Sequence, residues 1–163
     1  MSEQKQNPKC KIIRVGDGKN FINSKYPFWG VISKYKSSVK KFKKGDILCF
    51  ITSMKYGAKI IGMAEYTEFY DRTNEPLLSI NTKTNDDQGW VGGGEWDIQI
   101  HYRNLYITPN KTHIGGIIKG QCSILNYDNP KIKEQIKSEH GYDLYTHYNH
   151  FQIYLEPKTF ANL

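Results

Sequence analysis

Apolar side chains fall three and four apart at Tyr35, Val39 and Phe42, a spacing that predicts a helix over residues 33–44 with one buried face. Lys34, Lys36, Lys40, Lys41, Lys43 and Lys44 fill most of the other positions, so the solvent side of that helix is basic. Gly45-Asp46 turns the chain into an apolar run, 47–52, of strand length. A turn over 54–57 and a second apolar run over 59–69 complete a hairpin. Upstream, 10–15 alternates loosely and reads as a first strand, and Gly16-Asp17-Gly18-Lys19-Asn20 is turn chemistry. Residues 21–28 read as irregular, with Pro27 holding Tyr26 extended.

Residues 71–94 are rich in Asn, Thr, Asp and Gly and read as one long loop, of the kind that is functional inside a compact domain. A strand follows over 95–107, with Trp96, Ile98 and Ile100 on the inward face and Asp97, Gln99 and His101 on the other. Residues 109–120 read as a loop. Asp128-Asn129-Pro130 then opens a helix, by a capping side chain and a proline in the first turn. Ile132 and Ile136 form its buried face, His140-Gly141 end it, and a last strand runs over 145–156. Short adjacent strands between two helices predict an α+β domain around a small, mostly antiparallel barrel of five to six strands. The expected organisation is a tail at 1–9, one domain at 10–157 and a tail at 158–163.

Composition narrows the partners. A formal charge of +7 favours a polyanion, and an aromatic share of 13% supplies flat surfaces beside that charge. Cys10, Cys49 and Cys122 are odd in number and far apart, which fits an intracellular protein with reduced thiols. No apolar run is long enough to span a bilayer, so no membrane partner is expected.

Catalytic patterns are thin. His147 and His150 point to opposite faces of the expected strand, a poor geometry for a shared metal, and no cysteine pair supports zinc. No Gly-x-Ser-x-Gly elbow is present, and Gly16-Asp17-Gly18 and Gly92-Gly93-Gly94 lack the lysine and hydroxyl of a phosphate loop. The expectation is a protein that is not an enzyme, with no metal and no cofactor. Trp29 stands just before the lysine-rich helix, where an indole can stack on a base while ammonium groups neutralise phosphate. Asn20 carries an amide that both donates and accepts at a base edge.

The ordered set Trp29-Gly30-Val31, Lys44-Gly45-Asp46, Ile61-Gly62-Met63-Ala64-Glu65 and Tyr70-Asp71 resembles the EVE domain of the PUA-like superfamily, whose relatives include the YTH and ASCH domains. The resemblance covers roughly residues 10–107 and implies a PUA-like pseudobarrel flanked by helices. It implies non-catalytic recognition of a modified cytosine or adenine, in RNA or DNA; the sequence does not set the oligomeric state, and a monomer is the expectation. Trp29 then matches the first wall of an aromatic cage, Asn20 the base-reading amide, and Gly30 a close backbone contact. Trp90 is the expected second wall, and Asp17 lies where the family carries a Ser-Glu-Pro tripeptide. Arg14 and lysines 34, 36, 40, 41, 43 and 44 are the expected phosphate contacts. The alternative carried by the same resemblance is an RNA-associated enzyme or accessory, with Asp17 or Asp71 as its carboxylate.

Overall fold

The structure, a computed structural model of the chain, describes residues 9–73, 83–92, 94, 96–113, 124–127, 129–140, 144, 148, 158 and 160. The elements are β1 (Cys10–Arg14), α1 (Lys19–Asn23), β2 (Phe28–Val31), α2 (Lys36–Val39), β3 (Ile47–Ile51), β4 (Lys59–Asp71), α3 (Asn85–Gln88), β5 (Ile98–His113), β6 (Ile124–Asn126) and α4 (Pro130–His140). Single turns of 3-10 helix at Ser33–Tyr35 and Met54–Tyr56 join them. The fold is α+β. Its six strands form one sheet in the order β2-β5-β4-β3-β1-β6, curled into a half-barrel.

Only the β1–β3 pair is parallel among the described strand pairs. A parallel neighbour needs a crossover, and α1, β2 and α2 provide it. β1 therefore lies inside the sheet, between β3 and β6. Its side chains alternate between two apolar clusters, one on each face. Ile13 joins Phe21, Phe28, Leu48, Phe50 and Tyr102, whereas Ile12 joins Cys49, Met63, Tyr127 and Tyr148. A strand buried on both faces loses the clean polar alternation, which explains its weak pattern in the sequence. Lys11 follows the same logic: it is 6% exposed, with its ammonium over the Phe42 ring.

The curl has a local cause. The β4–β5 register shifts between Ile60 and Gly62, between Met63 and Glu65, and between Tyr66 and Glu68. Such irregularities bend a strand and increase its twist. Gly62 sits at the tightest part, where an added Cβ would meet the Phe21 ring at 3.0 Å.

Several expectations change. The helix expected over 33–44 is a 3-10 turn followed by the single-turn α2. It stops because the Asp46 carboxylate accepts the backbone N–H groups of Lys9 and Lys43, turning the chain at Gly45, whose φ is +94°. Tyr35, Val39 and Phe42 nevertheless face the core as their spacing predicts. The irregular 21–28 contains most of α1 and the start of β2. The strand expected from 95 starts at Ile98 and runs to His113, so part of the expected loop at 109–120 is strand. Trp96 precedes that strand. Helix α4 starts at Pro130, with the Asn129 side chain accepting from the Lys131 N–H. The expected strand at 145–156 lies almost wholly outside the described residues, as do His147 and His150. Tyr148, which is described there, is helical.

Candidate functional site

β2 is an edge strand, yet all four of its residues are buried. The cover comes from the segment expected to be one long loop. Thr84 caps α3 reciprocally, its hydroxyl accepting from the Asp87 N–H and the Asp87 carboxylate accepting from the Thr84 N–H. Gly89, at φ +79°, ends the turn. This Thr-x-x-Asp plus glycine pattern is a start-and-stop signal legible in the sequence. Gln88 is fully buried and turns its amide on the β2 approach with three bonds: Nε2 donates to the Tyr26 and Phe28 carbonyls, and Oε1 accepts from the Tyr26 N–H.

Trp90 follows directly and packs against the same strand. Its ring meets Phe28, Trp29 and Trp96 at centroid distances of 5.6, 5.2 and 5.6 Å. Its indole N–H donates to Ser24 Oγ at 2.8 Å, and it is only 6% exposed. Trp90 thus does not stand in an open loop as expected; it is a buried support behind the site.

A cleft of about 330 Å³ opens between the turn after β1, the start of α1 and the end of β2. Arg14, Asp17, Asn20, Trp29, Tyr35 and Trp96 line it, with Gly30 in its wall. Four of the five residues expected to bind the base therefore share one cavity, and Trp96 stands where Trp90 was expected. Trp96 was read as inward-facing because a strand was assumed to start before it. Tyr35 was read as core alone. It does pack on the core, and its other side reaches the cleft. Its position beside the lysines was the sequence signal for that second role.

Each wall has a structural reason. Trp29 is 9% exposed and packs edge-on to Phe21, so it is a fixed wall and not the open platform expected. Trp96 packs closely against two glycines. A Cβ on Gly30 would approach Trp96 Cβ at 2.7 Å, and one on Gly94 would approach the Trp96 ring at contacts shorter than any normal packing. Asn20 is held by the Val91 backbone: Nδ2 donates to the Val91 carbonyl at 2.9 Å, and Oδ1 accepts from its N–H at 3.0 Å. Among the described residues, one amide hydrogen and one oxygen lone pair stay uncommitted. Asp17 accepts from the Lys19 N–H, which holds its carboxylate in a tight turn at the rim.

The basic groups divide. Arg14 lines the cleft, and the Lys34 ammonium lies 5.8 Å from the Tyr35 ring centroid, beside it. Lys40, Lys41, Lys43 and Lys44 are exposed on the turn beyond α2. Lys36 differs: it pairs with Asp71 at 2.6 Å. Burial pushes the Asp71 carboxyl up, but hydrogen bonds from Lys36 and Thr73 hold it below the usual carboxylate range. Asp71 is thus a structural partner of Lys36 and does not line the cleft.

No protein-family model and no curated protein matches this chain. Solved structures do. An ASCH protein from Zymomonas mobilis is 12% identical with a TM-score of 0.48, covering 80% of this chain and 94% of that one. A hypothetical protein from Leishmania major is 11% identical with a TM-score of 0.50, covering 83% and 96%. A Pseudomonas putida protein is 15% identical with a TM-score of 0.49, covering 79% and 97%. The likeness is one of fold alone, an α+β domain built on a curled sheet, and it does not single out the EVE domain. Among the described residues, no helix is long and apolar enough to cross a membrane.

Proposed function

We propose that this protein binds nucleic acid and holds one base, in the manner of an EVE-like modified-base reader, in the cleft between Trp29, Tyr35 and Trp96. The observation that carries the reading is the convergence of three aromatic side chains, an amide, a carboxylate and a guanidinium on one cavity. A heterocycle entering there stacks on Trp96 and Tyr35, while the spare hydrogen and lone pair of Asn20 meet its edge. Arg14 and Lys34 then lie close enough to attract the attached phosphate, and the exposed lysines beyond α2 extend that field.

The test is binding of matched oligonucleotides, with and without a modified base, by the wild type and by Trp96→Ala at fixed salt. Loss of a base stack costs about 1–3 kcal/mol, so affinity for the preferred oligonucleotide drops about fivefold to more than a hundredfold. Equal wild-type affinity for modified and unmodified strands removes the reader claim and leaves general nucleic-acid binding. A Trp96→Ala protein that binds like the wild type removes the cleft altogether. The alternative reading, an RNA-linked enzyme, rests on the Asp17 carboxylate at the same rim. Turnover of an oligonucleotide that is abolished in Asp17→Asn would establish it.

A further inference from the structure

Trp96 borders a second cavity. This one, of about 530 Å³, is lined by Arg72, Thr84, Asn85, Asp86 and Asp97 together with Trp96. Its size is within the range of small-molecule sites, about 300–1,000 Å³. The Arg72 backbone N–H donates to the Asp97 carbonyl just beyond the paired ends of β4 and β5, which sets the Arg72 main chain beside this opening. Arg72 Nε is buried and has no hydrogen-bond partner among the described residues. Asp86 and Asp97 share the cavity with it, yet neither forms an ion pair with it among the described residues. Thr84 and Asn85 spend their side chains on Asp87 and the Gly94 carbonyl, so Arg72 Nε is the buried donor left over in a cavity that also holds two carboxylates and an indole.

The character of this lining differs from that of the first cleft. Two carboxylates against one guanidinium disfavour a phosphate. They favour an uncharged ring that donates from an amino group and accepts at a neighbouring ring atom. Such an edge is what a nucleobase presents, and a wall shared with the first cleft is what a neighbouring nucleotide requires. Successive bases stacked along aromatic side chains are the usual way in which single strands are held.

We propose that the second cavity receives the base next to the one bound in the first cleft, and that it selects an amino-bearing base, adenine, cytosine or guanine, over uracil or thymine. Asp97 and Asp86 accept from the amino group, and Arg72 donates to the adjoining ring nitrogen or carbonyl. This rests on the base-binding reading of the first cleft.

The experiment uses the full chain and single-stranded RNA nine-mers of uridine with one central 5-methylcytidine or N6-methyladenosine. The flanking residues are either all uridine or contain one adenosine on the 5′ or 3′ side of the modified base. Wild-type protein is expected to bind one adenosine-flanked probe about tenfold more tightly than the all-uridine probe, the scale of one added base contact. Arg72→Gln and Asp97→Asn each bring that ratio towards one while keeping the affinity for the all-uridine probe, and thermal melts check that both fold. A wild-type ratio of one on both sides, or an unchanged ratio in both variants, overturns the second site. The first cleft is judged separately by the all-uridine probe. If Trp96→Ala and Tyr35→Ala bind it as tightly as the wild type, the base-binding reading fails and the neighbouring site fails with it.

Discussion

Gly30→Ala is a one-carbon test of how the cleft is built. Gly30 has no left-handed backbone conformation to protect, so alanine is permitted there by its dihedral angles. In a strand interior the change alone is expected to stabilise by roughly 0.5–1 kcal/mol, through lost chain entropy. The space is what forbids it. The new methyl would stand 2.7 Å from Trp96 Cβ and 3.1 and 3.3 Å from the Trp90 ring. Ordinary carbon contacts are about 3.5–4.0 Å, so the wall must retreat by most of an ångström. Trp90 is held by its bond to Ser24, which leaves Trp96 to move. Overpacking of this kind costs about 1–3 kcal/mol. Net of the entropic gain, the protein loses up to about 2.5 kcal/mol and about 1 kcal/mol at mid-range, a few degrees of Tm at roughly 2–4 °C per kcal/mol for a chain this size. Thermal melts followed by near-ultraviolet circular dichroism read both the Tm and the tryptophan environment. Oligonucleotide affinity should fall by more than the stability loss explains, because the displaced ring is a wall of the cleft. An unchanged or raised Tm with an unaltered tryptophan signal refutes the packing of Trp96 on Gly30.

Other perturbations probe the supports. Trp90→Phe keeps a ring against Phe28 and Trp29 but removes the donor to Ser24; it should cost about 2–3 kcal/mol, and the double variant with Ser24→Ala should show less than additive loss by denaturant titration. Asn20→Ala removes both bonds to Val91, each worth about 0.5–1.5 kcal/mol at most in this exposed position. Faster hydrogen exchange at the Val91 amide is the readout, and unchanged exchange would show that the loop is held by other contacts. His101 is buried against Phe28 and Tyr70, and desolvation lowers its pKa from 6.5 to about 4, with Glu68 opposing. The unfolded chain therefore binds more protons between those values, so stability is full above pH 6.5 and falls as the pH drops towards 4. The fall reaches about 3 kcal/mol at 1.36 kcal/mol per unit, and His101→Phe should flatten the pH dependence of urea midpoints in that window.

The hairpin of β3 and β4, the first strand, the buried face at Tyr35, Val39 and Phe42, and the start of α4 could all be read from periodicity and capping residues. Those signals are local. What escaped was set by distant partners. β2 has four buried residues and no alternation, because Gln88 and Trp90 cover a strand edge that isolated sequence leaves open. The helix at 33–44 carried a correct face but an incorrect length, since the Asp46 carboxylate collects amides from both sides of the turn. Trp29, Asn20, Gly30 and Asp17, expected together from their resemblance to a family pattern, line one cleft. The exchange of Trp90 for Trp96 was not accessible, because it depends on which glycine each indole can lie against. Lys36 shows the same limit for charge: six lysines look alike in sequence, and only the fold sets one opposite Asp71.

The buried amide of Gln88 has a consequence for traffic into the cleft. It completes the outer margin of the sheet at Tyr26 and Phe28, so swinging the segment from Thr84 to Val91 aside would strip donors and acceptors from a strand, as well as exposing an indole. That segment is consequently a fixed jamb and not a door. Under the base-binding reading proposed above, the cleft would then fill and empty at a rate set by diffusion and desolvation, without waiting for this segment to swing aside.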